Sequence, residues 1–171
     1  MKIKIKRKLF LFLMVCFFSL MGSSQLPGED IDPVLKERID NSDLIVIGKV
    51  IEAKAVREDG LIFTIVTFSV EKTLKGDPQS DRIKIRVLGG SVGNIGLLVT
   101  EPVARFDLNE RALTFLRIVK KRPEYYRVFD EDEGKYTITA EGIIQRTGVP
   151  LKEMVNQIET YLKAVNNDRN N

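Results

Sequence analysis

Apolar residues alternate with polar ones through most of this chain and take a spacing of three and four only near its ends. The cleanest alternation is DRIKIRVLGG, residues 81–90. Ile83, Ile85 and Val87 fall on one side and Arg82, Lys84 and Arg86 on the other, which predicts a strand with one buried face. SDLIVIGKVIEAKAV, residues 42–56, is apolar on both faces at first and polar on one face later, so its first half should be covered from both sides. REDG, residues 57–60, carries the Asp-Gly signature of a tight hairpin. LIFTIVTFSVEKTL then returns as a long strand, with Val66, Phe68 and Val70 opposite Thr67, Ser69 and Glu71. KGDP, residues 75–78, reverses the chain again, with Gly76 suited to positive φ and Pro78 ending any ladder.

Past the glycine-rich LGGSVGNIG, residues 88–96, a strand edge is predicted over Ile95 to Val99; Glu101-Pro102 interrupts it and Val103 to Phe106 resumes it. DLNE, residues 107–110, reads as a turn with Asn109 at positive φ. RALTFLRIVKK predicts a strand in which Leu113 and Phe115 lie opposite Leu116 and Ile118 across a bulge. EYYRVFD is a further strand, DEDEG a turn, KYTIT the last short strand, and Gly142 to Gly148 an edge or a surface crossing.

Helical periods flank this β-rich stretch. IDPVLKERI places Pro33 in a first turn and Ile31, Val34, Leu35 and Ile39 on one side of a short helix. From Pro150 onward, Leu151, Met154, Val155, Ile158, Tyr161, Leu162 and Val165 form one stripe of an amphipathic helix, and NNDRNN follows as a frayed tail. The pattern predicts a mainly β fold. It is an antiparallel barrel of the oligonucleotide/oligosaccharide-binding type, elaborated by extra strands, or a small sandwich, with a helix at each end.

The first 24 residues change the charge picture. Lys2, Lys4, Lys6, Arg7 and Lys8 precede an apolar run, Leu9 to Met21, broken only by Ser19; this is the layout of a secretory signal peptide. Thirteen residues rise only about 20 Å as a helix, short of a hydrocarbon core of about 30 Å, so an uncleaved membrane anchor is the weaker alternative. Cys16, the only cysteine, follows Val15 inside the apolar run, which suits the signal rather than a lipid attachment site. The expected organisation is a signal over 1–24, a lead and short helix over 25–41, a β domain over 42–148, a packing helix over 149–166 and a disordered tail over 167–171.

The whole chain carries 27 basic and 24 acidic groups. Without residues 1–24 it carries 22 basic against 24 acidic and no cysteine, which removes disulfides, thiol chemistry and any net basicity that would favour nucleic acid.

Chemistry-bearing patterns are few. LGGSVGNIG lacks the Lys-Ser/Thr pair of a phosphate loop and the helix of a dinucleotide fingerprint, so Gly89, Gly90, Ser91, Gly93 and Asn94 read as a turn between strands and a candidate contact surface. Asp130 to Glu133 crowd four carboxylates, with Glu141 at the twelfth position counted from Asp130. The glycine is displaced from the calcium-loop pattern, and an acidic hairpin tip fits better, so no metal is expected. The chain has no histidine, which excludes a Ser-His-Asp triad and histidine metal sites. A carboxylate pair such as Glu101 with Asp107 is the remaining material for a hydrolase. Arg82, Lys84 and Arg86, with Lys72, Lys75 and Arg127, could form a basic stripe. Adjacent Tyr125 and Tyr126 place one ring away from the core, beside Arg127, as a candidate contact for a carbohydrate or protein.

SDLIVIGKV, IFTIVTFSVEKTLKGD, IKIRVLGG and RFDLNERALTFL resemble the segments of an exported microbial β-domain family. Its members run loosely D-hydrophobic-V-x-G-x-V, T-x-x-x-x-V-x-x-x-L-K-G, V-x-x-x-G-G and F-x-x-G-E-x-x-L-x-F-L. Asp43, Gly48, Thr64 or Thr67, Val70, Leu74, Lys75, Gly76, Gly89, Gly90, Phe106, Glu110, Leu113, Phe115 and Leu116 occupy the matching positions, with Asn109 where glycine is usual. The resemblance spans about residues 42–140 and implies a fold and an export route rather than an activity. The first half also resembles, distantly, the netrin-like barrel of tissue inhibitors of metalloproteases, whose N-terminal cysteine this chain would lack after processing.

The expectation is therefore a secreted or periplasmic, non-catalytic domain without cofactors. It would contact an extracytoplasmic protein or glycan, and neither nucleic acid nor, beyond export, a membrane. The alternatives are a carboxylate-pair hydrolase and a purely structural envelope protein.

Overall fold

The computed structural model describes residues 31–169. Helix α1, Pro33–Asn41, begins where expected: the Asp32 carboxylate caps it by accepting from the Val34 and Leu35 amides at 2.7 and 3.3 Å, with Pro33 in the first turn. Its buried side differs from the expected one. Leu35 and Ile39 face inward, but Val34 is half exposed and Arg38 is buried in its place.

Strands β1, Leu44–Glu58, and β2, Leu61–Lys75, form a long antiparallel hairpin about Asp59-Gly60, whose φ values of 51° and 82° are those of a tight primed turn. Strand β3, Arg82–Leu88, follows, with Ile83 and Ile85 buried. The glycine-rich stretch forms a small sheet of its own, β4, Gly90–Val92, and β5, Ile95–Leu97. Then come β6, Arg111–Ile118, β7, Tyr126–Val128, β8, Lys135–Ile138, and helix α2, Leu151–Arg169.

The six-stranded sheet has the order β1-β2-β3-β7-β6-β8, and β1 also pairs with β6. The expected all-antiparallel barrel needs correction, because the sheet is mixed. Five strands that alternate direction cannot all be antiparallel around a circuit. Here β7 doubles back on β6 and so runs parallel to β3. That link is one pair, Ile85 with Tyr126, because β7 is only three residues long. The domain is mainly β, with a mixed sheet that the single β3–β7 pair does not close into a regular barrel, a short N-terminal helix and a C-terminal helix.

Other expectations also shift. β6 pairs with β1 without a break from Arg111 to Leu116, so there is no bulge there; both of its faces are buried because apolar clusters lie on each side. The irregularities sit instead in β1 against β2, near Ile45, Ile47 and Val50. Val103 to Phe106 joins no strand, and α2 continues through residues 167–169 where a tail was expected. Residues 1–24, with the expected signal and anchor, lie outside the described residues, and nothing in 31–169 is evidence of export. No helix among the described residues is long and apolar enough to cross a membrane.

Two apolar clusters sandwich the sheet. Ile45, Ile47, Leu113, Phe115 and Ile138 pack under α1 and α2, meeting Leu35, Ile39, Met154, Val155 and Ile158. Leu44, Val46, Val66, Phe68, Ile85 and Leu116 fill the other face, capped by Ala104 and Phe106. This second face positions the clefts described next.

Candidate functional site

The glycine-rich stretch is anchored at its start and projects at its tip. Gly89 is buried; its amide donates to the Ile62 carbonyl at 2.8 Å, and its own carbonyl accepts from the Thr64 hydroxyl at 2.8 Å. Gly89 and Gly90 have φ of 103° and 126°, which favour glycine. A Cβ at Gly90 would lie 2.6 Å from the Thr64 hydroxyl oxygen. With the Gly89 amide spent on Ile62 and β4 laddered to β5, the stretch does not present a row of free amides to a phosphate. Gly93 and Asn94 form the exposed turn of the hairpin.

A cleft of about 570 Å³ lies beside this hairpin. Gly89, Gly90 and Ser91 border it, as do Leu97 to Val99, and Val66, Val87, Ala104 and Phe106 give it apolar wall. Large apolar side chains here are left in water: Ile95 is 56% and Leu98 82% exposed. Among the described residues, none from Leu98 to Phe106 makes a backbone–backbone hydrogen bond, and of their backbone groups the Arg105 carbonyl is engaged, by the Lys135 ammonium. The expected strand over Val103 to Phe106 fails for this reason: it has no partner, and Pro102 removes a donor just before it.

A second cleft, about 580 Å³, lies along Val99 to Arg105 and is polar, with Glu101 and Asp132 near Lys135 and Arg146. Glu101 borders this cleft, whereas Asp107 borders neither of the two. The Lys135 ammonium is held by Glu110 at 2.5 Å, and the Glu110 carboxylate also accepts from the Thr137 hydroxyl and from the Asp107 amide at 2.9 Å. These groups brace the 107–110 turn, where Asn109 takes the expected positive φ of 68°.

The DEDEG carboxylates serve a cation of the chain itself. Arg38 donates through Nε and Nη2 to Asp130 at 2.9 and 2.7 Å, through Nη2 to Glu133 at 3.3 Å, and through Nη1 to the Tyr136 hydroxyl. Burial pulls the Arg38 guanidinium toward neutrality, but the Asp130 hydrogen bond and Tyr136 outweigh it, so its pKa is raised. Arg146 completes the group by donating to Glu133. Glu141 is held below the usual carboxylate range by the Thr139 hydroxyl and does not join them. Among the described residues no cluster of acids is arranged to hold a metal.

Tyr125, Tyr126 and Arg127 do not line the apolar cleft. Tyr126 packs against the second core, and burial, then Asp43 and Asp77, push its hydroxyl up. Tyr125 is half buried and borders neither of these clefts, while Arg127 is exposed. Of the expected set, Gly89, Gly90 and Ser91 line the apolar cleft, while Arg127 lines a smaller cavity of about 230 Å³ that shares Val87, Leu88, Val103 and Ala104 with that cleft. What the sequence reading missed is the segment 98–106 itself. Its signal was an apolar run, GLLVTEPVARF, with proline in the middle and no ladder partner in the strand pattern.

Comparison with known protein families, curated proteins and solved structures returns no match to this chain, so no family membership is assigned.

Proposed function

We propose that this protein is a binding module whose ligand is an extended, apolar segment of a partner protein, seated between the β4–β5 hairpin and residues 98–106. The observation that carries the reading is the backbone of Leu98 to Phe106, which joins no strand ladder among the described residues, beside an apolar cleft. An edge of this kind recognises extended peptide through main-chain hydrogen bonds, while alternate side chains enter apolar pockets. Val66, Val87, Ala104 and Phe106 supply the pocket walls, and Leu98 an exposed rim. A glycan suits the cleft less well. Its one aromatic ring, Phe106, stands edge-on to Phe68 at 6.4 Å, and the Thr64 hydroxyl is already spent on Gly89. The extracytoplasmic setting of the partner is part of the proposal and rests on the sequence pattern of residues 1–24 alone.

Selection from a random peptide library on the purified protein tests this directly. Selected peptides should alternate apolar residues, and Leu98→Asp should weaken them at least about tenfold, as for a side chain at the centre of a contact. Peptides that bind Leu98→Asp as well as the parent protein, or a glycan array giving the only binding, would overturn it.

A further inference from the structure

A second groove, about 680 Å³, shares no residue with the apolar cleft. Six cations line it: Arg86, Arg117, Lys120, Lys121, Arg122 and Arg127. Few of them are neutralised. Arg117 spends its guanidinium on neutral acceptors, the Asn41 carbonyl at 2.6 Å and the Asn41 side-chain oxygen at 3.3 Å. Arg122 stands 3.9 Å from Asp59 and 3.8 Å from Glu124, at the limit of an ion pair. Lys120, Lys121 and Arg127 have no ion-pair partner among the described residues. Arg86 is paired with Glu58 at 3.0 Å and lies 3.4 Å over the Phe63 ring, yet its buried Nε finds no acceptor among the described residues.

The two acids of the groove do little to balance this. Asp43 accepts from the Ile118 amide at 2.8 Å, and Asp59 is almost wholly in solvent. Six cations against two acids leave an excess of positive charge that concentrates a positive field along the groove.

The groove is not only cationic. Ile118, 43% exposed, and half-buried Val119 sit among the charges. An inorganic anion has no use for that apolar contact. Single-stranded nucleic acid would need a stacking ring, and neither Tyr125 nor Tyr126 lines the groove. An occupant that carries both carboxylates and apolar side chains uses both features.

We infer that this groove docks an acidic, apolar-containing segment of a protein partner. Its carboxylates are taken by Arg117, Lys120, Lys121 and Arg127, and an apolar side chain rests on Ile118 and Val119. Arginine forks and lysine ammonium groups both suit carboxylates.

Fluorescence anisotropy on the purified full chain tests this with a labelled peptide of alternating glutamate and leucine. Its glutamine–leucine counterpart, a heparin oligosaccharide and oligothymidylate serve as controls. The Glu–Leu peptide should bind, lose affinity with added salt, and weaken about tenfold in Arg127→Glu and in the Lys120→Glu/Lys121→Glu pair. Ile118→Ser should weaken the peptide and leave heparin unchanged. Leu98→Asp should leave Glu–Leu binding intact, which separates this groove from the apolar cleft. Equal binding of the glutamine peptide, indifference to the charge reversals, or tighter capture of heparin or oligothymidylate by the same residues would overturn the inference.

Discussion

Thr114 sits fully buried in the middle of β6 with its hydroxyl unpartnered among the described residues, while its neighbours on that face, Ala112 and Leu116, are apolar. A buried hydroxyl without a partner costs desolvation and returns nothing. Thr114→Val keeps the shape, so it should raise stability by about 0.5–1 kcal/mol in urea denaturation. Gly48 lies at the opposite extreme. A Cβ there would stand 2.2 Å from the Ser69 carbonyl oxygen and 2.6 Å from the Phe68 ring, so β1 and β2 must part to admit it. Gly48→Ala should cost about 1–3 kcal/mol in the same measurement, the range for overpacking a close-fitted interior. Such positions mark the limit of what alternation reveals. Gly48 announced itself only as a glycine within an apolar strand, and Thr114 as a polar residue in a run buried on both faces. Which backbone presses on the one, and which acceptor is missing for the other, are facts of the third dimension.

Between elements, the contact of α1 with α2 is partly electrostatic. The Asp40 carboxylate accepts from the Tyr161 hydroxyl at 2.8 and 3.0 Å and from the Lys36 ammonium at 2.8 Å. Lys36 holds Asp40 below its ordinary 3.8, burial opposes this, and Tyr161 adds to the lowering. A carboxyl whose folded pKa is depressed contributes stability above its unfolded value and loses it as pH falls through the folded one. Stability measured from pH 5 downward should therefore fall less steeply in Asp40→Asn. Because the group is exposed, the difference should stay below about 1 kcal/mol. Helices, hairpin and strands were largely legible at this scale. Asp59-Gly60, the 83-85-87 alternation and the stripe from Leu151 to Leu162 each stand where the pattern put them. The parallel sense of β7 was not legible, because strand direction depends on which neighbours a strand meets, and period two carries no direction. Lys120 to Arg122 stood in plain view as a basic run, yet their gathering with Arg86 and Arg127 depends on the β6–β7 turn folding against β3.

Across the molecule, stability is shared between the two faces of one sheet. The outer face depends on α2, which buries Met154, Val155 and Ile158 against Ile45, Leu113 and Phe115. Each fully buried side chain is worth about 1.5–3 kcal/mol, and a domain's whole margin is about 5–15 kcal/mol. Truncation before Leu151 should leave no cooperative unfolding transition and should raise binding of a hydrophobic dye, while secondary structure persists in part. The single Ile85–Tyr126 pair has a different consequence, a mechanical one. Load applied across β3 and β7 meets one rung and peels the molecule along that line. Load applied along β1 and β2 must shear a ladder running from Ile45 to Glu58 all at once. The protein is therefore built to be tough in one direction of pull and to yield in another.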